Sequence, residues 1–399
     1  DRIPMEMAHA VLDPEIASLL HAEPQDGMQE APTQANPTQA EAQASAGSSS
    51  SATAVAEPAL EKARDRFEGG AEDSDAAEGT LNMTLTGFWG SGRINAVARR
   101  HSEVSRTMFG REDILSVTNG IHATTWVCDD MAELFDEHIP AWREDNTELR
   151  NAVSLDRDLL LKAHQRRKSA LIDRVNEMTN AGCAAETFTI GFGRRATAYK
   201  RLTLLLSEPE RLEAIAKKHG GLQIVLAGKA HPKDEPGQAM IVETLKKAKS
   251  LKHTKIVYLP GYNLDLCGLM TSGSDIWLNT PRPPLEASGT SGMKSAINGV
   301  PSLSTLDGWW LEGCVEGLTG WAIGKDDFAP GHSGEVPTTA VQDREHAEDL
   351  YDKLDNAILP AFKSHDAWGN IMANTIALNG SHFTTQRMVR EYVAGMYFV

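Results

Sequence analysis

Between residues 187 and 304, short β-rich runs alternate with helical stretches, and this alternation limits the possible architectures more than any other feature of the chain. The runs fall at 187–191, 222–226, 255–259, 275–278 and 300–304, with helical patterns between them at about 199–219, 237–250, 264–272 and 292–298. Parallel neighbours need a crossover between them, and a helix is the usual one. Strands buried on both faces read as near-continuous apolar runs, as these do. The expectation is an α/β domain in which helices cover a parallel sheet.

This pattern is that of a Rossmann-like doubly wound sheet, whose ligands collect at the carboxyl ends of the strands, where loops lead into helices. Flanking helices are predicted at 82–106 and 148–180, and again at 341–362 and from 384 to the end. No apolar run among the 399 residues approaches membrane-spanning length, so no membrane partner is expected. The net charge of −16 argues against nucleic acid, which is gripped by clustered Lys and Arg. Half of that charge lies in one Ala, Gln, Ser and Gly-rich tract at 24–80, with eleven acidic and three basic residues. A segment so poor in large apolar groups cannot offset its ordering entropy, so it reads as a disordered insertion. Cys128, Cys183, Cys267 and Cys314 are scattered and read as reduced thiols of a cytoplasmic protein.

Two stretches carry chemistry. Residues 284–299 follow a strand and open a short helix, in which Gly289 and Gly292 admit a closely approaching ligand, Thr290 and Ser291 are cap candidates, and free N–H groups suit a phosphate. Lys294 lies one turn in, where an amine in an apolar pocket can lose its proton and attack a carbonyl. A nucleotide P-loop is excluded because Met293 separates Gly292 from Lys294, while a plain glycine turn stays open. The second stretch, 191–201, leaves a strand with Arg194, Arg195, Lys200 and Arg201, a set matched to a doubly charged phosphate. A solvated basic helix start is the alternative, though it would oppose the helix dipole. Asn119, Lys229, His231 and Glu286 suit sugar hydroxyls, His101 and His122 read as ordinary polar residues, and no spacing supports a metal site.

Taken together, Thr118-Asn-Gly-Ile-His122, the run from Arg194 to Arg201, Ala227-Gly-Lys-Ala-His-Pro232, Glu286-Ala-Ser-Gly-Thr-Ser-Gly-Met-Lys294 and Leu306-Asp-Gly-Trp-Trp310 resemble the glycogen, starch and maltodextrin phosphorylases, in their shorter bacterial-type branch. The resemblance runs from about Leu81 onward. It implies the C-terminal domain of a two-domain glycosyltransferase-B-type fold, with pyridoxal phosphate on Lys294 and phosphorolysis of α-1,4-glucan to glucose 1-phosphate with retention. By the same resemblance Arg195 and Lys200 bind inorganic phosphate. Arg194, Thr290, Ser291 and Gly292 hold the cofactor phosphate, and Tyr262 lies near its ring. Asn119, Tyr199, Glu286, Ser288 and Gly289 contact the glucosyl unit.

Residues 1–23 then read as the tail of a largely absent N-terminal domain, 81–118 as its last helical part, and 119–399 as the catalytic domain. Gly92 stands where many long-chain members have a sugar-binding histidine. Without the other half this chain is expected to show little or no phosphorolysis, and a homo-oligomer stays open. A nucleotide-sugar-dependent glucan synthase and a catalytically silent glucan-binding scaffold are the competing expectations.

Overall fold

The computed structural model describes residues 2–4, 80–229, 234–329 and 336–398. Residues 24–79 of the acidic tract, most of residues 1–23 and His231 lie outside the described residues. The chain divides into two compact units, one spanning 1–94 with 330–333 and the other holding the remainder. In the first, Arg2–Pro4 pairs antiparallel with Thr80–Asn82, and a short helix, Met83–Trp89, follows.

The second unit is built on six parallel strands: β1 (Thr189–Gly193), β2 (Leu222–Ala227), β3 (Thr254–Leu259), β4 (Ile276–Asn279), β5 (Ser302–Thr305) and β6 (Gly320–Ile323). Their spatial order is β6-β5-β4-β1-β2-β3. The chain therefore runs outward in one direction from β1 and then returns to its other side with β4. The crevice at that reversal is where sheets of this kind bind ligands.

Alternate residues of β2 serve the two faces: Ile224 and Leu226 join one apolar cluster, and Val225 joins the other with Trp277 and Val257. The second face is covered by α1 (Arg157–Thr179), through Leu171 and Val175. The crossovers α2 (Pro209–His219), α3 (Glu235–Ala248), α4 (Leu264–Gly273) and α5 (Thr290–Ala296) precede α6 (Thr339–Lys353) and α7 (His365–Asn374).

The α/β architecture is as expected, and several boundaries differ for physical reasons. The first strand starts two residues late, because the Thr187 amide turns back to the Ala184 carbonyl and pairing with β2 begins at Thr189. The helix expected over 199–219 is two 3-10 turns followed by α2. Arg201 takes a left-handed φ of 49°, and Pro209 opens α2. The 148–180 pattern likewise breaks at Asp156, whose carboxylate caps α1 by accepting from the Asp158 and Leu159 amides. Within 82–106, a strand at Ile94–Ala96 interrupts the helical run, and a helix at Arg99–Phe109 follows it. The sixth strand was not expected: Gly-Trp-Ala-Ile is short and carries no flanking alternation.

Candidate active site

β1 delivers the basic motif to the carboxyl edge of the sheet. The Arg194 amide continues the ladder by donating to the Ala227 carbonyl, and a single 3-10 turn, Ala198–Lys200, follows in place of the expected helix. The four cations of the motif then part company. Arg194, Arg195 and Lys200 line a cavity of about 740 Å³ beside Tyr199. Arg201 does not. Its guanidinium is consumed by the Thr280 and Pro281 carbonyls, by Asp343 at 2.9 Å and by His346 Nδ1 at 2.8 Å. Burial lowers His346 to about 3, consistent with a neutral ring that accepts from the guanidinium.

The loop before α5 forms the facing wall, with Glu286, Ser288, Gly289, Thr290, Ser291 and Lys294 on the cavity. Gly289 is the N-cap of α5, with φ 88°, and no side chain caps the helix, contrary to the capping expected of Thr290 and Ser291. The Ser291 hydroxyl instead accepts from the Trp277 indole at 3.1 Å. Gly292 is absent from the lining, and a Cβ there would come 2.6 Å from the Trp309 ring. It is a close-packing glycine, which departs from the closely approaching ligand the motif suggested. Asn119 and Tyr262 also lie on the cavity wall, whereas Lys229 does not line it. The Asn119 carbonyl is held by Arg387 of the last helix at 2.9 Å.

Charge at this edge is unevenly shared. One oxygen of Glu286, Oε2, takes Arg194 Nη2 at 3.0 Å and also the Lys200 ammonium. Arg194 Nη1 is buried without a partner, and so are the Ser288 and Thr197 hydroxyl oxygens. Buried polar groups rarely stay unpaired without cause. Burial, with Arg194 close by, lowers Lys200 to about 8 despite Glu286. Burial raises the Tyr199 and Tyr262 phenols; Glu286 adds to the first and Cys267 to the second. Lys294 has no carboxylate partner among the described residues, and its Nζ sits 3.7 Å from the centre of the Trp126 ring.

The sequence reading missed four groups here. Trp126 is brought under Lys294 because buried Asn298 donates to both the Trp126 and Lys294 carbonyls at 2.8 Å. Thr197 and Cys267 also line the cavity, and Asp307 lies behind Glu286, accepting from its amide at 2.8 Å. Asp307 and Thr197 lay in motifs already singled out, whereas Trp126 and Cys267 did not. Among the described residues no group of His, Cys, Asp or Glu side chains could hold a metal ion, and no helix is long and apolar enough to cross a membrane.

Comparison with known proteins gives this geometry a context. Residues 60–316 match the carbohydrate phosphorylase family. A glycogen phosphorylase of Aquifex aeolicus is 33% identical over 369 residues, which cover 83% of this chain and 51% of the relative. A maltodextrin phosphorylase of Thermococcus litoralis is 34% identical over 346 residues, covering 79% and 41%. A glycogen phosphorylase of Mycobacterium tuberculosis is 35% identical over 375 residues, covering 82% and 41%. The chain thus spans about half the length of the curated relatives it matches.

Proposed function

Since the chain belongs to the carbohydrate phosphorylase family, we propose that it is the phosphate- and cofactor-holding half of an α-glucan phosphorylase, which cleaves terminal α-1,4-linked glucose with inorganic phosphate to give glucose 1-phosphate. One observation carries this reading: a cavity at the sheet's reversal point joins a buried, unpaired guanidinium nitrogen to an amine that has no carboxylate partner among the described residues. That pair suits a phosphorylated aldehyde, and it favours a phosphorylase over a nucleotide-sugar synthase, which needs no such amine.

Pyridoxal phosphate, when bound, supplies a phosphate group able to exchange a proton with the substrate phosphate. Lys294 would hold its aldehyde carbon, Arg194 with Thr290 and Ser291 its phosphate, the turn being closed by Gly292 packing on Trp309, and Tyr262 would lie by its ring. Arg195 and Lys200 would bind the attacking phosphate. Stacking cations against two phosphates stabilises charge that develops during transfer. Glu286, Ser288, Gly289, Asn119 and Tyr199 would orient the glucosyl unit, the unpaired Ser288 hydroxyl being free to bond a sugar hydroxyl. Keeping nucleophile and leaving group on one face of the sugar gives retention.

In this reading residues 119–399 form the catalytic domain, 81–118 close the partner domain, and the chain alone has little or no phosphorolysis. The test is product identity with the N-terminal half of a relative supplied in trans. Glucose 1-phosphate formed from maltodextrin only when inorganic phosphate and pyridoxal phosphate are both present supports the proposal. Glucan extension from a nucleotide sugar without the vitamin contradicts it.

A further inference from the structure

The segment after β5 plays no part in the scheme above, yet it touches both walls that carry the sugar-facing groups. Asp307 is fully buried. Its Oδ1 accepts from the Gly308 amide at 2.9 Å, an ordinary local turn, while its Oδ2 accepts from the Glu286 amide at 2.8 Å, twenty-one residues away in sequence. The next two residues extend the grip. The Trp309 amide donates to the Ser288 carbonyl at 2.9 Å, and Gly308, at φ 55°, packs so closely on that carbonyl that no side chain fits there. Further along, Glu312 accepts from the Thr118 hydroxyl at 2.9 Å and from the Arg99 amide at 3.0 Å, holding the residue that precedes Asn119.

A turn aspartate needs one oxygen for its own turn. The second oxygen is spent on Glu286, the residue whose carboxylate Arg194 and Lys200 share. A small shift of that backbone would move the Glu286 carboxylate between its cations and the space in front of them. Burial pushes the Asp307 carboxyl up, while the Glu286 and Gly308 amides pull it down by favouring the ionised form that accepts at both oxygens.

We propose that Asp307 is a positioning residue for the sugar side of the cavity: its carboxylate, held between the Glu286 and Gly308 amides, sets where Glu286 and Ser288 face the glucosyl unit. The proposal rests on the reading of Glu286 and Ser288 as sugar contacts given above.

The test is a double-mutant cycle on the full chain carrying pyridoxal phosphate, with glucose 1-phosphate and inorganic phosphate as calorimetric probes. Asp307→Asn offers one acceptor oxygen in place of two, so one buried amide loses its partner. It should weaken glucose 1-phosphate about tenfold and inorganic phosphate less than about twofold, as expected for one lost buried hydrogen bond. In a Glu286→Gln background, Asp307→Asn should cost glucose 1-phosphate less than about twofold more. Equal losses for the two probes, or full additivity in the double variant, would overturn the proposal, since a purely structural role predicts both. If Asp307→Asn fails to fold, Asp307→Ser, which also keeps one acceptor, carries the same comparison. A wild-type chain that holds glucose 1-phosphate no more tightly than inorganic phosphate would sink the underlying reading, and the proposal with it.

Discussion

The two ends of the parallel sheet each bury a cluster of charged side chains, and the clusters are built differently. At the amino end, Asp275 spends both oxygens: Oδ1 on His164 Nε2 at 3.1 Å, and Oδ2 on Lys168 Nζ at 2.6 Å and the Thr189 amide at 2.7 Å. Burial alone would raise its pKa, but the Lys168 charge and the His164 contact more than offset this and hold it below the usual carboxylate range. At the carboxyl end, two cations share one Glu286 oxygen, and Arg194 Nη1 is left with no acceptor. In the first cluster every charge has a partner, only the His164 Nδ1 ring nitrogen being left without one, and the pairing ties α1 to β1 and β4. The second holds a buried donor with no acceptor among the described residues, a pattern that fits the anion site proposed above.

Removing a cation should therefore have opposite consequences at the two ends. Lys168→Met leaves a buried carboxylate half-paired and should cost about 3–5 kcal/mol in urea unfolding, the usual penalty for breaking a buried pair. Arg194→Met should cost less than about 1 kcal/mol of stability, because Lys200 still neutralises Glu286. A stability loss at Arg194 equal to that at Lys168 would erase the distinction. Anion binding sharpens it: Arg194→Gln should weaken pyridoxal phosphate about 10- to 100-fold by calorimetry, the equivalent of one or two charge-assisted hydrogen bonds, whereas Lys168→Met should leave the pyridoxal phosphate affinity of the folded fraction unchanged.

The smallest effect is a pH dependence confined to the carboxyl end. Lys200 is lowered by burial, and by Arg194, from 10.5 to about 8. Between those two values the unfolded chain binds the proton and the folded chain has released it, so this group's contribution to stability rises with pH across that window. Phosphate affinity runs the other way and should fall as pH passes about 8, where the ammonium ion is lost. Lys200→Gln should flatten both trends, and an unchanged phosphate profile in that variant would remove Lys200 from the anion site.

Much of this contrast could be read from the sequence, though unevenly. The strands were visible because parallel strands are continuous apolar runs. The loops at their carboxyl ends could be placed because Gly and basic residues cluster after Ile190 and before Met293. Function was easier to read than packing: within one basic motif nothing local separates Arg194, which faces the cavity, from Arg201, which turns into the core. That choice is made by Thr280, Pro281, Asp343 and His346, which lie 79 to 145 residues further along the chain. Trp126 meets Asn298 across 172 residues and Asp307 meets Glu286 across 21, so these contacts appear only once the fold brings them together. Gly292 shows the converse, because a glycine in a ligand-like motif was needed for close packing on Trp309.

The account depends most on the amine at Lys294, set over the Trp126 ring and lining the same cavity as Arg194, whose Nη1 is unpartnered. The direct measurement is peptide mass spectrometry after the chain is incubated with pyridoxal phosphate and reduced with borohydride. The account predicts a single modified lysine at position 294, lost in Lys294→Ala and weakened in Arg194→Gln. An unmodified Lys294, with label scattered over exposed lysines or concentrated at Lys200, would contradict it.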